Sequence, residues 1–278
     1  MAADRTTRLH LASGDSAVTV APAVGGRIAS LVVDGWDVVR RDGWTDREWG
    51  SFVMAPWVGR LRNGRVWWRG RAWDMPLTEA PHALHGTVVD VPWSVVDTSS
   101  STARLEASLG PDWPYPGRIV RVIQLGPDRL TDSIEVYADA EPFPAVLGWH
   151  PWFRRRALRL TDKLESAPAD IRIRAGSRVD LDMDGLPTGW LVEPRVTPQD
   201  DVLLDVVEPP VIAWAGGPEL TLESPEARAW IAYAAHPDGV CLEPLTGLPD
   251  GLNRSRLGEP PVTEPGEPLS ATFVIRWG

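Results

Sequence analysis

Arg118-Ile-Val-Arg-Val-Ile-Gln-Leu125 and Leu130-Thr-Asp-Ser-Ile-Glu-Val-Tyr-Ala138 decide the fold. Both are of strand length, rich in β-branched residues and bounded by Gly, Pro, Asp or Ser. In the second, apolar and polar residues alternate with the two-residue period of a half-buried strand. The same pattern extends outward in both directions. Upstream it covers Leu9–Ala12, Ala17–Ala21, Arg27–Val33, Val38–Val39, the two arms of Val66–Trp73 and Ala103–Leu109. Downstream it covers Ile171–Arg174, Val202–Val207, Val211–Trp214, Glu219–Glu223, Trp230–Ala234 and Ala271–Trp277. Asp34-Gly-Trp-Asp37 and Arg69-Gly70 read as hairpin turns. Short strands at regular spacing, with long helical periodicity nearly absent, predict an all-β sandwich or barrel. No fixed-period repeat and no linker-like change of composition divides the chain, so residues 1–278 are expected to form one large antiparallel domain.

Composition narrows the function. A net charge of −10 argues against nucleic acid or an anionic membrane as partner, because phosphate recognition needs a positive surface. Cys241 is the sole cysteine, so an intrachain disulfide is impossible, and its apolar neighbours predict a buried, inert thiol. Met1–His10 lacks the apolar core of a signal peptide, and no later run approaches the length of a membrane helix. A soluble, cytoplasmic protein is the expectation.

Two stretches combine constrained backbone with acid–base groups. In Gly239-Val-Cys-Leu-Glu-Pro-Leu-Thr-Gly-Leu-Pro-Asp-Gly-Leu-Asn253, Glu243 stands where Pro244, Gly247, Pro249 and Gly251 are expected to end the strand in a stiff loop. Leu147-Gly-Trp-His-Pro-Trp-Phe153 places His150 in what reads as an equally constrained aromatic turn. Glu243 and His150 are a candidate base and acid, although a loop glutamate without a role fits the first segment as well. Arg60 and Arg62 would share one face of a strand, aimed either into a cavity or into solvent. His82 and His85 are flanked by Pro81 and Gly86, which oppose the helix needed to align them. With five histidines and one cysteine in the chain, no zinc-type spacing follows, and no metal is expected. Among fifteen tryptophans, Trp57, Trp149, Trp152 and Trp190 lie in Gly/Pro-rich turns where an indole could meet the C–H face of a sugar; core packing is the alternative for each. Walker, dinucleotide and Gly-x-Ser-x-Gly signatures are absent.

These residues together resemble the aldose 1-epimerases, or galactose mutarotases. Gly59-Arg60-Leu61 with Asn63-Gly64-Arg65 is similar to the family's Asn-Arg-Ile segment. Leu84-His85-Gly86, followed by Pro92-Trp93, resembles its His-Gly segment. Gly148–Phe153 and Val240–Asn253 resemble the segments bearing the general acid and the general base, and Gln199-Asp-Asp-Val-Leu203 is a looser match to the sugar-binding aspartate. The resemblance spans roughly residues 20 to 275. It implies a large antiparallel β-supersandwich without cofactor or metal, as monomer or homodimer, acting on a small sugar. It further implies His150 as acid and Glu243 as base, with Arg60, His85 and Asp200 (or Asp201) holding the substrate; Trp152, from the reading of the turn tryptophans, is the expected sugar-facing indole beside them. Gly59 and Leu245 stand where the family usually carries Asn and Gln. Alternatives are hexose-6-phosphate epimerisation, with Arg62, Arg65 or Arg154–Arg156 taking the phosphate, and sugar binding without turnover. A two-carboxylate glycosidase would need a partner for Glu243, for which Asp250 lies too close in sequence.

Overall fold

Strand pairing follows from the alternation. A computed structural model describes residues 7–43, 45, 47–253 and 256–278; Met1–Thr6, part of the N-terminal stretch considered above, lie outside the described residues. Two large antiparallel sheets dominate, with no α-helix among the described residues. The first, of eleven strands, runs Leu9–Ser13, Ser16–Ala21, Arg27–Val33, Trp36–Val39, Gly148–Arg159, Gly239–Leu245, Ala229–Tyr233, Asp200–Val206, Ala175–Leu181 and Pro187–Val192, with Ser51–Met54 paired to both Gly148–Arg159 and Arg27–Val33. The second, of eight, runs Ser94–Thr98, Thr102–Ser108, Gly117–Leu125, Arg129–Ala138, Leu269–Arg276, Glu219–Glu223, Val211–Trp214 and Ala169–Arg172.

The strands that decided the fold form the centre of the smaller sheet. Arg129–Ala138 alternates strictly between half-buried and buried residues, turning Leu130, Ile134 and Val136 inward. Those side chains meet the inner face of the larger sheet in one continuous apolar core, where Trp149 packs on Phe273 with ring centroids 5.7 Å apart. The break in the pattern at Asp132 has a structural reason. Its carboxylate accepts a two-pronged bond from Arg121 of the neighbouring strand, 2.9 Å from Nε, and both groups are buried. Arg121 Nη1 also donates to the Gly26 carbonyl at 2.8 Å, which ties the smaller sheet to the start of Arg27–Val33 in the larger. A buried guanidinium is tolerated because its donors are taken by fixed acceptors.

Two readings are corrected. Leu147–Phe153 is no turn: Gly148–Arg159 is a twelve-residue strand at the middle of the larger sheet. Likewise, the strand holding Glu243 does not stop at Pro244 but continues to Leu245. Prolines are rare in central strands because they cannot donate to the ladder. Here the adjoining Gly148–Arg159 and Gly239–Leu245 strands pair at Gly148↔Leu245 and again at Trp152↔Cys241, with no pairing between. The prolines Pro151 and Pro244 sit inside that gap, where a missing N–H loses no ladder bond between these two strands. Ser51–Met54, Ser94–Thr98, Ala175–Leu181 and Pro187–Val192 are further strands that the alternation did not mark.

Candidate active site

The gap in the ladder is also where the acid–base groups meet. The register on either side of it is the same, which sets His150 directly opposite Glu243. Directly opposed residues of an antiparallel pair project to one face, with Cβ atoms about 4.5–5.5 Å apart. Accordingly His150 Nε2 lies 3.4 Å from Glu243 Oε1. Two-residue periodicity then sorts the neighbours: His150 and Trp152 face a cavity of about 670 Å³, whereas Trp149 faces the core between the sheets.

The imidazole is held in a column of flat groups. Phe52 stacks on it at 4.7 Å with a 27° interplanar angle, and Trp152 stacks at 5.3 Å and 21°. The Arg27 guanidinium lies 4.9 Å from the Phe52 ring, and the Arg40 guanidinium 5.5 Å from the Trp152 ring. Trp152 is itself pinned, because its indole N–H donates to the Arg47 carbonyl at 2.7 Å. Burial lowers the His150 pKa from 6.5 to about 3, with the Arg27 charge acting in the same direction. Burial raises Glu243 well above the ordinary carboxylate value, and the nearby Asp200 charge adds to that. Both shifts favour the uncharged forms, and so favour placing a proton shared by the pair on the carboxyl rather than on the imidazole.

His85 completes the floor, edge-on to His150 at 5.1 Å. Burial, with the neighbouring His150, Arg47 and Arg60, holds its pKa well below 6.5. Two local features place it. Arg60↔Leu84 and Leu61↔Ala83 form a short ladder, and the His85 N–H donates to the Gly59 carbonyl at 3.0 Å. Gly86, at φ +83°, then lets the chain cross Ala55 so closely that a Cβ would stand 1.9 Å from the Ala55 carbonyl oxygen. Gly59 is similarly constrained: at φ +57°, a Cβ would meet the Pro249 ring at 2.9 Å, so a side chain here would force Pro249 to shift.

Arg60 and Asp200 line the same cavity. Enclosure in the pocket wall raises the Asp200 pKa, opposed by the Arg60 charge and reinforced by Asp201. Strand alternation turns Asp201 the other way. It is buried beneath Arg195 at 2.9 Å and Arg178 at 3.6 Å, and it accepts from the Gln199 N–H. Of the two aspartates, Asp200 is therefore the one available to a ligand.

Other sequence candidates do not converge here. Arg62 leaves the strand for a 3₁₀ turn and pairs with Asp182 at 2.9 Å and Asp250 at 3.6 Å. Arg65 pairs with Asp74. Arg154, Arg155 and Arg156 line a separate cavity, where Arg154 binds Asp37 and the other two donate to backbone carbonyls. Asp250 accepts from the Arg62 N–H and the Asn253 amide, so it serves the loop. His82 is buried away from the pocket and accepts from the Asn63 N–H at 3.1 Å. Of the four turn tryptophans, Trp57 and Trp149 are core, Trp190 is exposed, and Trp152 alone lines this cavity. Conversely, sequence reasoning passed over Arg47, Glu48, Tyr233 and His236, which line the cavity, and Phe52 and Arg27 behind it. The signal available for Phe52 was the apolar run Ser51–Met54; for the other five nothing local marked a role.

Comparison with known proteins agrees with this architecture. A sequence profile described as aldose 1-epimerase matches residues 7–276. Two Escherichia coli K12 proteins are each 24% identical to the chain: YphB over 256 residues, covering 81% of this chain and 82% of that one, and YihR over 171 residues, covering 58% and 55%; both are named as uncharacterized. The match to YihR thus spans little more than half of that relative. A galactose mutarotase-like protein from Clostridium acetobutylicum superposes with a TM-score of 0.80 at 17% identity, over 98% of this chain and 95% of the other.

Proposed function

Since the chain belongs to the aldose 1-epimerase family, we propose that it interconverts the α and β anomers of a hexose by acid–base opening and reclosure of the pyranose ring. The observation that carries this reading is the His150–Glu243 pair, opposed across two central strands at 3.4 Å on the floor of the cavity. Opening a hemiacetal removes a proton from the anomeric hydroxyl and delivers one to the ring oxygen. Passage of the shared proton from Glu243 to His150 yields a carboxylate that accepts the first and an imidazolium that donates the second. Rotation about C1–C2, followed by reclosure with the roles reversed, gives the other anomer. Positioned groups of this kind contribute about 10²–10⁴-fold each, enough for a reaction that proceeds unaided in water.

Arg60, His85 and Asp200 would hold the ring hydroxyls, and the Trp152 indole would pack beside the pyranose. An uncharged sugar suits the cavity better than a sugar phosphate. Besides Glu243, the carboxylates of Glu48, Glu79, Asp90 and Asp200 line it against two arginines, of which Arg47 already binds Asp90 at 3.1 Å. Polarimetry of freshly dissolved α-D-glucose and α-D-galactose tests the reading: the wild type accelerates mutarotation and Glu243→Gln does not. Acceleration confined to hexose 6-phosphates would overturn the uncharged-substrate assignment. Sugar binding with no acceleration of any of these sugars would overturn the epimerase assignment.

A further inference from the structure

Cys241 has no part in the sugar chemistry, yet it stands beside it. It precedes Glu243 by two residues on the same strand, so both side chains leave the same face of the sheet. The His150 ring nitrogen, the Cys241 Sγ and a Glu243 carboxylate oxygen lie within 4.8 Å of one another. We propose that these three side chains form a site for a borderline-soft divalent cation, Zn²⁺ or Cd²⁺, whose binding blocks the sugar reaction. As a regulation of the catalytic pair, the inhibition rests on the function proposed above; the binding does not.

The donor set is one nitrogen, one sulfur and one oxygen, the combination that zinc accepts. For the bond lengths of a tetrahedral zinc site the ligand atoms sit about 3.4–3.6 Å apart, so contraction by about 1 Å closes the triangle. The larger Cd²⁺ needs less. Glu243 Oε2 is buried and has no hydrogen-bond partner among the described residues, which leaves a second carboxylate oxygen for the ion. His150 and Glu243 line the open cavity and Cys241 lies behind them, so the ion enters from the pocket, meets nitrogen and oxygen first, and keeps its fourth position toward the cavity. Binding releases one proton from the thiol and one from the carboxyl to solvent, with no change of oxidation state. Such a site escapes a spacing scan because its ligands come from residues 150, 241 and 243 on two strands.

The test is a titration of the full chain with CdCl₂, followed by the ultraviolet sulfur-to-cadmium charge-transfer band, which requires no turnover. A saturable band at about one Cd²⁺ per chain is expected in the wild type and none in Cys241→Ala. In parallel, ZnSO₄ should inhibit mutarotation, high sugar concentration should protect, and EDTA should restore the rate. Cys241→Ala should turn over sugar normally and lose Zn²⁺ sensitivity by more than the roughly 10–100-fold that the loss of an outer-shell partner costs. Cys241→Ser, closer in volume, replaces it if the alanine variant does not fold. Absence of the band in the wild type, or equal Zn²⁺ inhibition of wild type and the folded Cys241 variant, overturns the proposal. A chain that shows the band but turns over no sugar keeps the metal site and loses the epimerase reading.

Discussion

Replacing Glu243 by Gln should sharply reduce turnover and stabilise the protein, and the second effect should grow with pH. The carboxyl is buried, and its folded pKa is raised well above 4.5, chiefly by burial. Between 4.5 and that raised value, the folded chain keeps a proton that the unfolded chain has released. Stability therefore falls as pH rises, by about 1.4 kcal/mol for each pH unit of the window. His150 has the opposite sign: its folded pKa of about 3 lies below 6.5, so it takes stability away as pH falls through that range, in both proteins. The amide that replaces the carboxyl cannot titrate, so the difference between the two proteins isolates Glu243. At about 2–4 °C per kcal/mol for a chain approaching this size, the melting temperature of the variant should pull ahead by roughly 3–5 °C per pH unit from about pH 5 upward. Thermal unfolding over a pH series, with EDTA present, measures the gap, and polarimetry on the same samples should show a loss of about 10²–10⁴-fold. A gap that stays flat with pH would mean that Glu243 ionises normally in the fold and that burial does not hold the shared proton on it.

Four further outcomes follow from the geometry. The acid limb of the kcat/KM profile should fall at the second protonation of the pair, near the His150 value of about 3, and Arg27→Met should move it to higher pH by removing a positive charge; a midpoint at 6.5 in the wild type would refute the burial argument. Asp200→Ala should raise KM with little change in the unfolding midpoint, whereas Asp201→Ala should cost about 1–3 kcal/mol in denaturant because Arg178 and Arg195 lose their shared acceptor. Gly86→Ala should destabilise by more than about 1 kcal/mol, through its positive φ and the clash with Ala55, and should raise KM by displacing His85. Asp132→Asn should cost about 3–5 kcal/mol in chemical unfolding, since it leaves the Arg121 charge buried without its counter-ion.

Most strands of the smaller sheet were legible because one face is buried and the other wet, so the two-residue period survives in the sequence; the exception, Ser94–Thr98, is exposed at every position and has no period to show. In the larger sheet, Gly239–Leu245 is buried at every position, and Gly148–Arg159 at its first six. Covered on both sides, such strands lose the period, and the prolines beside His150 and Glu243 then read as chain breaks. The two acid–base candidates were nonetheless visible, since ionisable groups inside apolar, proline-flanked segments are unusual whatever the local structure. Arg27, Phe52, Tyr233 and His236 were not visible, because their place in the site depends on which strands become neighbours. Trp149 and Trp152 show the same limit: three residues apart in one run, they are sent to opposite faces by the strand.

The column Arg27–Phe52–His150–Trp152–Arg40 has a consequence for what the protein can discriminate. With the imidazole clamped between two rings and the carboxyl fixed on the adjacent strand, neither group can follow a sugar that changes shape. In the proposed epimerisation the hinge would then lie in the ligand, at its C1–C2 bond. That end of the sugar must be left free to swing, so grip has to fall on the carbons that stay still. Discrimination among aldoses should accordingly be sharp for hydroxyl configuration within reach of Arg60, His85 and Asp200, and blind to which anomer enters.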